Sequence, residues 1–208
     1  MIRVVVADDH PIVREGVRQI LERAGDIAVV AEAGDGAELI RKVSQGNFDV
    51  VILDISMPGR DGIDVLKQLR YEDPKVRVLI MSIHPEELFA IRALKAGAAG
   101  YLTKESVSDE LVVAVRRVMR GGRYISERLA EQILHELEGD PGKPPHAALS
   151  DRELEVFLMI AAGKSLTRIA EDLSLSVKTI ATYRARILEK MNMRTNAEII
   201  RYVIQRGL

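Results

Sequence analysis

The sequence predicts an α/β domain built on a five-stranded parallel sheet, followed by a small, entirely helical domain. Three observations lead there. Over the first 120 residues, short apolar runs rich in Val and Ile alternate five times with amphipathic segments. The stretch Gly139-Asp140-Pro141-Gly142-Lys143-Pro144-Pro145 then interrupts every regular period. Beyond it, four successive segments carry helical spacing.

The apolar runs are Ile2–Ala7, Ile27–Ala31, Val50–Leu53, Val76–Met81 and Ala99–Leu102. Continuous runs of this kind mark strands buried on both faces, as in a parallel sheet. The amphipathic segments between and after them are Ile12–Arg23, Gly36–Ser44, Gly62–Tyr71, Glu86–Ala96 and Ser108–Met119. Repeated βα alternation places helices on both sides of the sheet. Pro11 suits the first turn of its helix, and Ser108 or Asp109 is expected to cap the fifth. Gly121, Gly122 and Arg123 break the pattern, and Ser126–Leu137 is helical again. The Pro- and Gly-rich stretch is a linker. The four later helices are Asp151–Ala162, Leu166–Leu173, Val177–Met191 and Asn196–Gln205. This gives a first domain at 1–120, a connector with a helix at 121–148, and a second domain at 149–208.

Composition narrows the function classes. The 208 residues are 47% hydrophobic and 29% charged, the balance of a folded soluble protein. With no cysteine, disulfides and thiolate metal sites are excluded, and a reducing, cytoplasmic setting is expected. The opening MIRVVVADDH turns acidic too early for a signal peptide. No apolar stretch reaches the ~20 residues that span a bilayer, so no membrane partner is expected. The net charge of −1 hides an asymmetry. From Leu149 onward there are 10 Lys and Arg against 7 Asp and Glu, while the remainder carries 20 against 24.

In open α/β sheets, ligands bind beyond the carboxyl ends of the strands. Asp8 and Asp9 follow the first strand, and Asp54 ends the third. First and third strands are neighbours in the flavodoxin-like order. Two carboxylates about 4 Å apart repel by roughly 4 kcal/mol at an effective dielectric near 20. A fold tolerates this if a cation lies among them or a proton is retained. An all-oxygen cluster suits Mg²⁺. The plainer alternative is that Asp8 and Asp9 cap the helix near Pro11 and Asp54 begins a turn. That alternative loses force because Ser82 closes the fourth strand and Lys104 follows the fifth. A nucleophile, a divalent cation site and donors for phosphoryl oxygens are what phosphoryl transfer to a carboxylate requires. His10 is assigned a structural role, since hard Mg²⁺ prefers oxygen. His84, His135 and His146 share no ligand spacing and are assigned no site.

Residues 1–120 resemble the receiver domain of bacterial two-component response regulators. The matching residues are Asp8-Asp9, Asp54 within Leu53-Asp54-Ile55-Ser56-Met57-Pro58-Gly59, Ser82, and Ala96-Gly97-Ala98-Ala99-Gly100-Tyr101-Leu102-Thr103-Lys104. The resemblance implies that Asp54 is the phosphoacceptor. It implies that Asp9, Asp54 and the Ser56 main-chain carbonyl bind Mg²⁺, with Asp8 acting partly through water. Ser82 and Lys104 would hold phosphoryl oxygens, and Tyr101 would be the switch aromatic that turns inward when Ser82 moves. Many receivers follow the lysine with proline in a cis peptide, whereas Glu105 stands here. A cis bond without proline costs about 2.5–4 kcal/mol, so the Lys104–Glu105 geometry is left to the structure.

In the second domain, Ser150-Asp151-Arg152-Glu153 reads as a capping box, and Gly163 ends that helix. Ser174-Leu175-Ser176 is a tight turn, with Ser176 able to cap the next helix. Ile180, Tyr183, Ile187 and Met191 recur at helical spacing as an inner face. Lys178, Ala181, Thr182, Ala185 and Arg186 form another face, with Arg184 and Lys190 flanking it. Small residues permit approach to base edges, and basic ones reach phosphates. An ordinary solvated face is the alternative, but from Ser176 onward seven residues are basic and two acidic.

Leu149–Leu208 resembles the LuxR-type helix-turn-helix domain of the NarL class. The matches are Leu149-Ser150-Asp151-Arg152-Glu153-Leu154-Glu155-Val156, Ala162-Gly163-Lys164-Ser165, Ile169-Ala170-Glu171-Asp172-Leu173 and Ser176-Val177-Lys178-Thr179-Ile180. The resemblance implies that Val177–Met191 enters the major groove and that the last helix contributes to dimerisation. Lys178, Thr179, Ala181, Thr182, Tyr183, Ala185, Arg186 and Lys190 are the expected DNA contacts. Family members often carry Lys and His where this chain has Ala181 and Tyr183, so the operator does not transfer. The expected partners are a sensor histidine kinase, double-stranded DNA bound as a homodimer, and RNA polymerase. Two rivals stand: a DNA-binding regulator with a vestigial receiver, and an aspartyl-phosphate hydrolase, for which Ile55 and Ser56 supply no general acid.

Overall fold

The computed structural model describes residues 1–137 and 144–208, so of the expected linker at 139–145 the first five residues lie outside the described residues, and Pro145 begins a 3₁₀ turn. The chain forms two compact units, Met1–Leu137 and Glu138–Leu208. In the first, five strands alternate with five helices: β1 Ile2–Ala7, α1 Pro11–Glu22, β2 Ile27–Ala33, α2 Gly36–Gln45, β3 Val50–Leu53, α3 Gly62–Glu72, β4 Arg77–Ser82, α4 Glu86–Lys95, β5 Gly100–Thr103 and α5 Val107–Met119. All strand pairs are parallel, in the flavodoxin-like order β2-β1-β3-β4-β5.

The central strands are apolar because both faces are covered. Val4, Val5, Val6, Val50, Val51, Ile52, Leu79 and Ile80 are fully buried. One face meets α1 and α5 through Val17, Leu21, Leu111 and Val115. Asp35 and Asp61 cap α2 and α3 by accepting main-chain N–H bonds from Glu38 and Ile63. The expected cap of α5 is corrected. Its N-cap is Ser106, and Ser108 and Asp109 lie within the first turn. Ser106 Oγ donates to Thr103 O instead of capping, which draws the helix start toward β5. No cis peptide occurs among the described residues, so the Lys104–Glu105 bond is trans.

A sixth helix, α6 Glu127–Leu137, belongs to the first unit. It packs against α4, so the helix expected in the 121–148 connector is docked on the sheet domain.

The second unit contains a 3₁₀ turn at Pro145–Ala148 and α7 Asp151–Ala161, α8 Leu166–Asp172, α9 Val177–Lys190 and α10 Asn196–Arg206. Ser150 and Glu153 form both halves of the capping box. Ser165, Ser176 and Thr195 cap the following three helices. Gly163 takes φ +80° after α7, a left-handed conformation that favours glycine. Leu154, Phe157, Ile160, Ile169, Ile180, Ile187 and Ile199 form the core. A buried Arg152–Glu155 pair at 2.5 Å and a Lys190–Glu153 pair at 2.6 Å accompany it.

Candidate functional site

Parallel strands that end level bring distant residues together. Ala7 pairs with Leu53 and Ser82 with Thr103, so the next residues line one rim. Asp54 N donates to Ala7 O at 2.9 Å, and Lys104 N donates to Ser82 O at 2.8 Å. Asp8, Asp54 and Ser82 are all buried, at 0%, 1% and 0% exposure. Lys104 Nζ lies 2.7 Å from Asp8 Oδ2 and 2.6 Å from Asp54 Oδ2. The ammonium thereby offsets the repulsion between two carboxylates that water cannot screen.

Burial pushes the Asp54 carboxyl above its usual range, against the opposing pull of Lys104 and of the Ser56 N–H. Burial by itself would lower Lys104, but the Asp54 and Asp8 carboxylates outweigh it and hold the ammonium above its ordinary value. Ser56 N donates to Asp54 Oδ1 at 2.9 Å, which orients the carboxylate.

Asp8, Asp9 and His10 bring ligand atoms within 4.8 Å of one another. Asp9 Oδ1 is buried and accepts no well-formed hydrogen bond among the described residues, although His10 Nδ1 lies 2.8 Å from it. An oxygen-rich donor set with an under-used carboxylate oxygen fits a hard divalent cation. His10 also approaches Asp8, at 3.3 Å, so the structure places this largely exposed ring at the edge of the acidic cluster.

Ser82 Oγ accepts a hydrogen bond from His84 N at 3.1 Å. Tyr101 donates its hydroxyl to His84 O at 3.0 Å, and its ring is 1% exposed. The ring is therefore already inward here, and burial pushes its hydroxyl pKa up.

On α9, Ile180 and Ile187 are buried and Tyr183 is half-buried, and Met191, which follows the helix as its C-cap, is buried too. Lys178, Ala181, Thr182, Ala185 and Arg186 are exposed. Ser176, Lys178, Thr179, Thr182, Tyr183 and Arg186 line a shallow concave surface. Thr182 Oγ1 donates to Lys178 O at 3.0 Å, leaving its oxygen to accept and its methyl to make contact. Thr179 and Ser176 share a hydroxyl contact of 2.8 Å at the helix start. Two flanking residues are engaged within the unit: Arg184 donates to Asn196 Oδ1 at 2.6 Å, and Lys190 binds Glu153.

Comparison with known proteins decides what these two units are. Residues 4–116 match the response regulator receiver domain family, and residues 147–203 match the luxR family of bacterial regulatory proteins. The chain belongs to the two-component response regulators. It is 38% identical over 209 residues to response regulator UvrY of Escherichia coli strain K12, covering 100% of this chain and 96% of the relative. Response regulator GacA of Pseudomonas viridiflava is 37% identical over 209 residues, covering 100% and 98%. A structure of RcsB from Salmonella enterica serovar Typhimurium, bound to promoter rprA with the phosphomimetic BeF3⁻, superposes with a TM-score of 0.66 at 27% identity over 97% of each chain. This response regulator joins a receiver to a LuxR-type DNA-binding domain of the NarL class and regulates transcription.

Several supports of the response regulator's rim carry no signal in the sequence. Arg14 donates to Asp8 O at 2.7 Å and to Glu32 at 2.9 Å, fixing the loop after β1. His84 holds Ser82 and Tyr101 through its main chain rather than its ring, and no residue pattern reports that. No helix among the described residues is long and apolar enough to cross a membrane.

Proposed function

We propose that Asp54 accepts a phosphoryl group from a sensor histidine kinase or a small acyl phosphate, and that this controls DNA binding through α9. One observation carries the reading. Asp8, Asp54, Ser82 and Lys104 come from the ends of four strands, and Lys104 Nζ lies within 2.7 Å of both carboxylates. As the P–O bond to Asp54 forms, the P–N or P–O bond to the donor breaks. Mg²⁺, held by Asp8, Asp9, Asp54 and the Ser56 main-chain carbonyl, would neutralise charge on the phosphoryl oxygens. Lys104 opposes the effect of burial and favours the ionised form of Asp54. Lys104 and Ser82 then turn to the phosphoryl oxygens, and Tyr101 relays the change. The receiver assists its own phosphorylation and dephosphorylation and turns over no other substrate.

The functional division is a receiver at 1–120, a connector at 121–148 and a DNA-binding domain at 149–208. Two copies bind a two-fold site, one α9 per half-site, in the cytoplasm, with RNA polymerase as a further partner. Lys178 and Arg186 contact phosphates. Thr179, Ala181, Thr182, Tyr183 and Ala185 face base edges. Lys190 is left out of the phosphate contacts because Glu153 engages it. The test is incubation with acetyl phosphate, with and without Mg²⁺. Wild type should gain one phosphoryl group only with the cation, and Asp54→Asn none; equal labelling of the variant at the same residue would overturn the assignment.

A further inference from the structure

The segment after α5 is fastened to the receiver at several points. Tyr124 N donates to Ala99 O at 2.9 Å and Tyr101 N donates to Tyr124 O at 3.1 Å, a short parallel bridge on the open edge of β5. The approach requires glycine at position 100, where a Cβ would lie 2.5 Å from Tyr124 O. Tyr124 also donates its hydroxyl to Glu110 of α5 at 2.8 Å. Ser126 Oγ accepts from Leu129 N at 3.0 Å, stabilising the start of α6, and donates to Glu86 Oε2 at 2.6 Å. Gln132 Nε2 donates to Glu87 O at 2.9 Å. Arg128 pairs with Glu87 at 2.6 Å, but its side chain is 78% exposed and the pair contributes little.

The bonds of Ser126 and Gln132 grip the first turn of α4, two residues beyond His84. His84 is held from both sides, its N–H by Ser82 and its carbonyl by Tyr101. Its ring stacks on Phe89 of α4 with centroids 4.5 Å apart. Ser82 is thus tied by hydrogen bond to His84, His84 by its ring to Phe89 and by the main chain to the first turn of α4, and that turn by Glu86 and Glu87 to Ser126 and Gln132. If Ser82 turns to a phosphoryl group on Asp54, His84 N loses its acceptor. The loop is exposed at Ile83 and Pro85, so it is able to follow Ser82, and the first turn of α4, which continues directly from it, moves with it.

We propose that residues 124–134 form a clasp on β5 and α4 that opens when Asp54 is phosphorylated. The clasp makes α6 the element that passes the receiver's state to the chain beyond it. Ser126 and Gln132 are its positioning residues. This rests on the phosphoacceptor reading of Asp54 and Ser82. The closed form is the one in which Ser82 holds His84 and Lys104 holds Asp54.

Hydrogen exchange of the full-length protein with Mg²⁺, with and without beryllium fluoride, tests the clasp. Amides of residues 126–134 should exchange about five-fold faster or more with beryllium fluoride, the loss of one or more hydrogen bonds, and Asp54→Asn should show no change. The double variant Ser126→Ala, Gln132→Ala should exchange fast in α6 under both conditions and still be phosphorylated at the wild-type rate. If that variant folds poorly, Glu86→Ala removes the same bond from the α4 side. Unchanged or slower exchange in α6, while residues 82–87 respond, overturns the clasp and leaves the phosphoacceptor reading intact. No response anywhere, together with no phosphate uptake, overturns both.

Discussion

At the acidic rim, Asp8, Asp54 and Ser82 are each no more than 1% exposed and come from three strands, whereas the outward face of α9 is exposed and comes from one helix. The rim's groups already partner one another: Lys104 with both carboxylates, Ser82 with His84. On α9, Lys178 and Arg186 form no ion pair among the described residues. The rim concentrates its charge where water cannot screen it, so single changes there should act nearly all or none. The helix spreads its contacts over many weak, solvated positions, so single changes there should act in small increments.

The largest expected effect tests the first half of that contrast. Lys104→Met removes the shared cation and a donor for the developing phosphoryl charge. Phosphorylation of Asp54 by acetyl phosphate should slow by about 10²-fold, the scale of losing one such donor. A rate within a few-fold of wild type would show that the rim does not depend on this charge.

Thr182→Ala tests the second half. Losing one base contact should change preference at one or two base pairs by about 1–3 kcal/mol, read against single-base operator variants. The variant also loses the bond to Lys178 O, but that bond is exposed and replaceable by water. Unchanged base preference would remove Thr182 from direct readout.

A smaller effect is expected of Lys178→Ala and Arg186→Ala. Each should weaken binding to all sequences alike and lower the salt slope by about one unit. If either reshapes sequence preference instead, the division between phosphate-contacting and base-reading residues is misplaced.

The smallest effect concerns stability and pH. Burial raises the Glu153 carboxyl, but Lys190 and the bonds from Ser150 outweigh it and hold the group below its ordinary value of 4.5. A carboxylate with a lowered folded-state pKa stabilises the fold above its unfolded value, and this is lost as pH falls through the lowered value. The destabilisation caused by Glu153→Gln in denaturant titrations should therefore be full near neutral pH and shrink below about pH 4.5. A constant difference down to strongly acid pH would show that the charge of Glu153 contributes nothing.

Local and periodic features were legible from residues alone. The Val- and Ile-rich runs located five strands, because a strand buried on both faces must be apolar along its length. Ser150 with Glu153 and Ser176 announced their helices, since a cap and the N–H it satisfies lie within three residues. The placing of Asp8, Asp54, Ser82 and Lys104 at one rim was also visible, because strand ends in a parallel sheet lie together. Other features depended on groups far apart in sequence. Nothing local indicates that Arg14 braces Asp8, that His84 acts through its main chain, or that Glu153 engages Lys190. The docking of Ser126 and Gln132 on α4 is of the same kind, since a Ser or Gln in an amphipathic segment is equally suited to water. Amino-acid order determined which segments form and where reactive groups stand, because those follow from backbone periodicity. Which polar side chain meets which partner was decided only by packing, because hydrogen bonds between remote residues carry no period in the sequence.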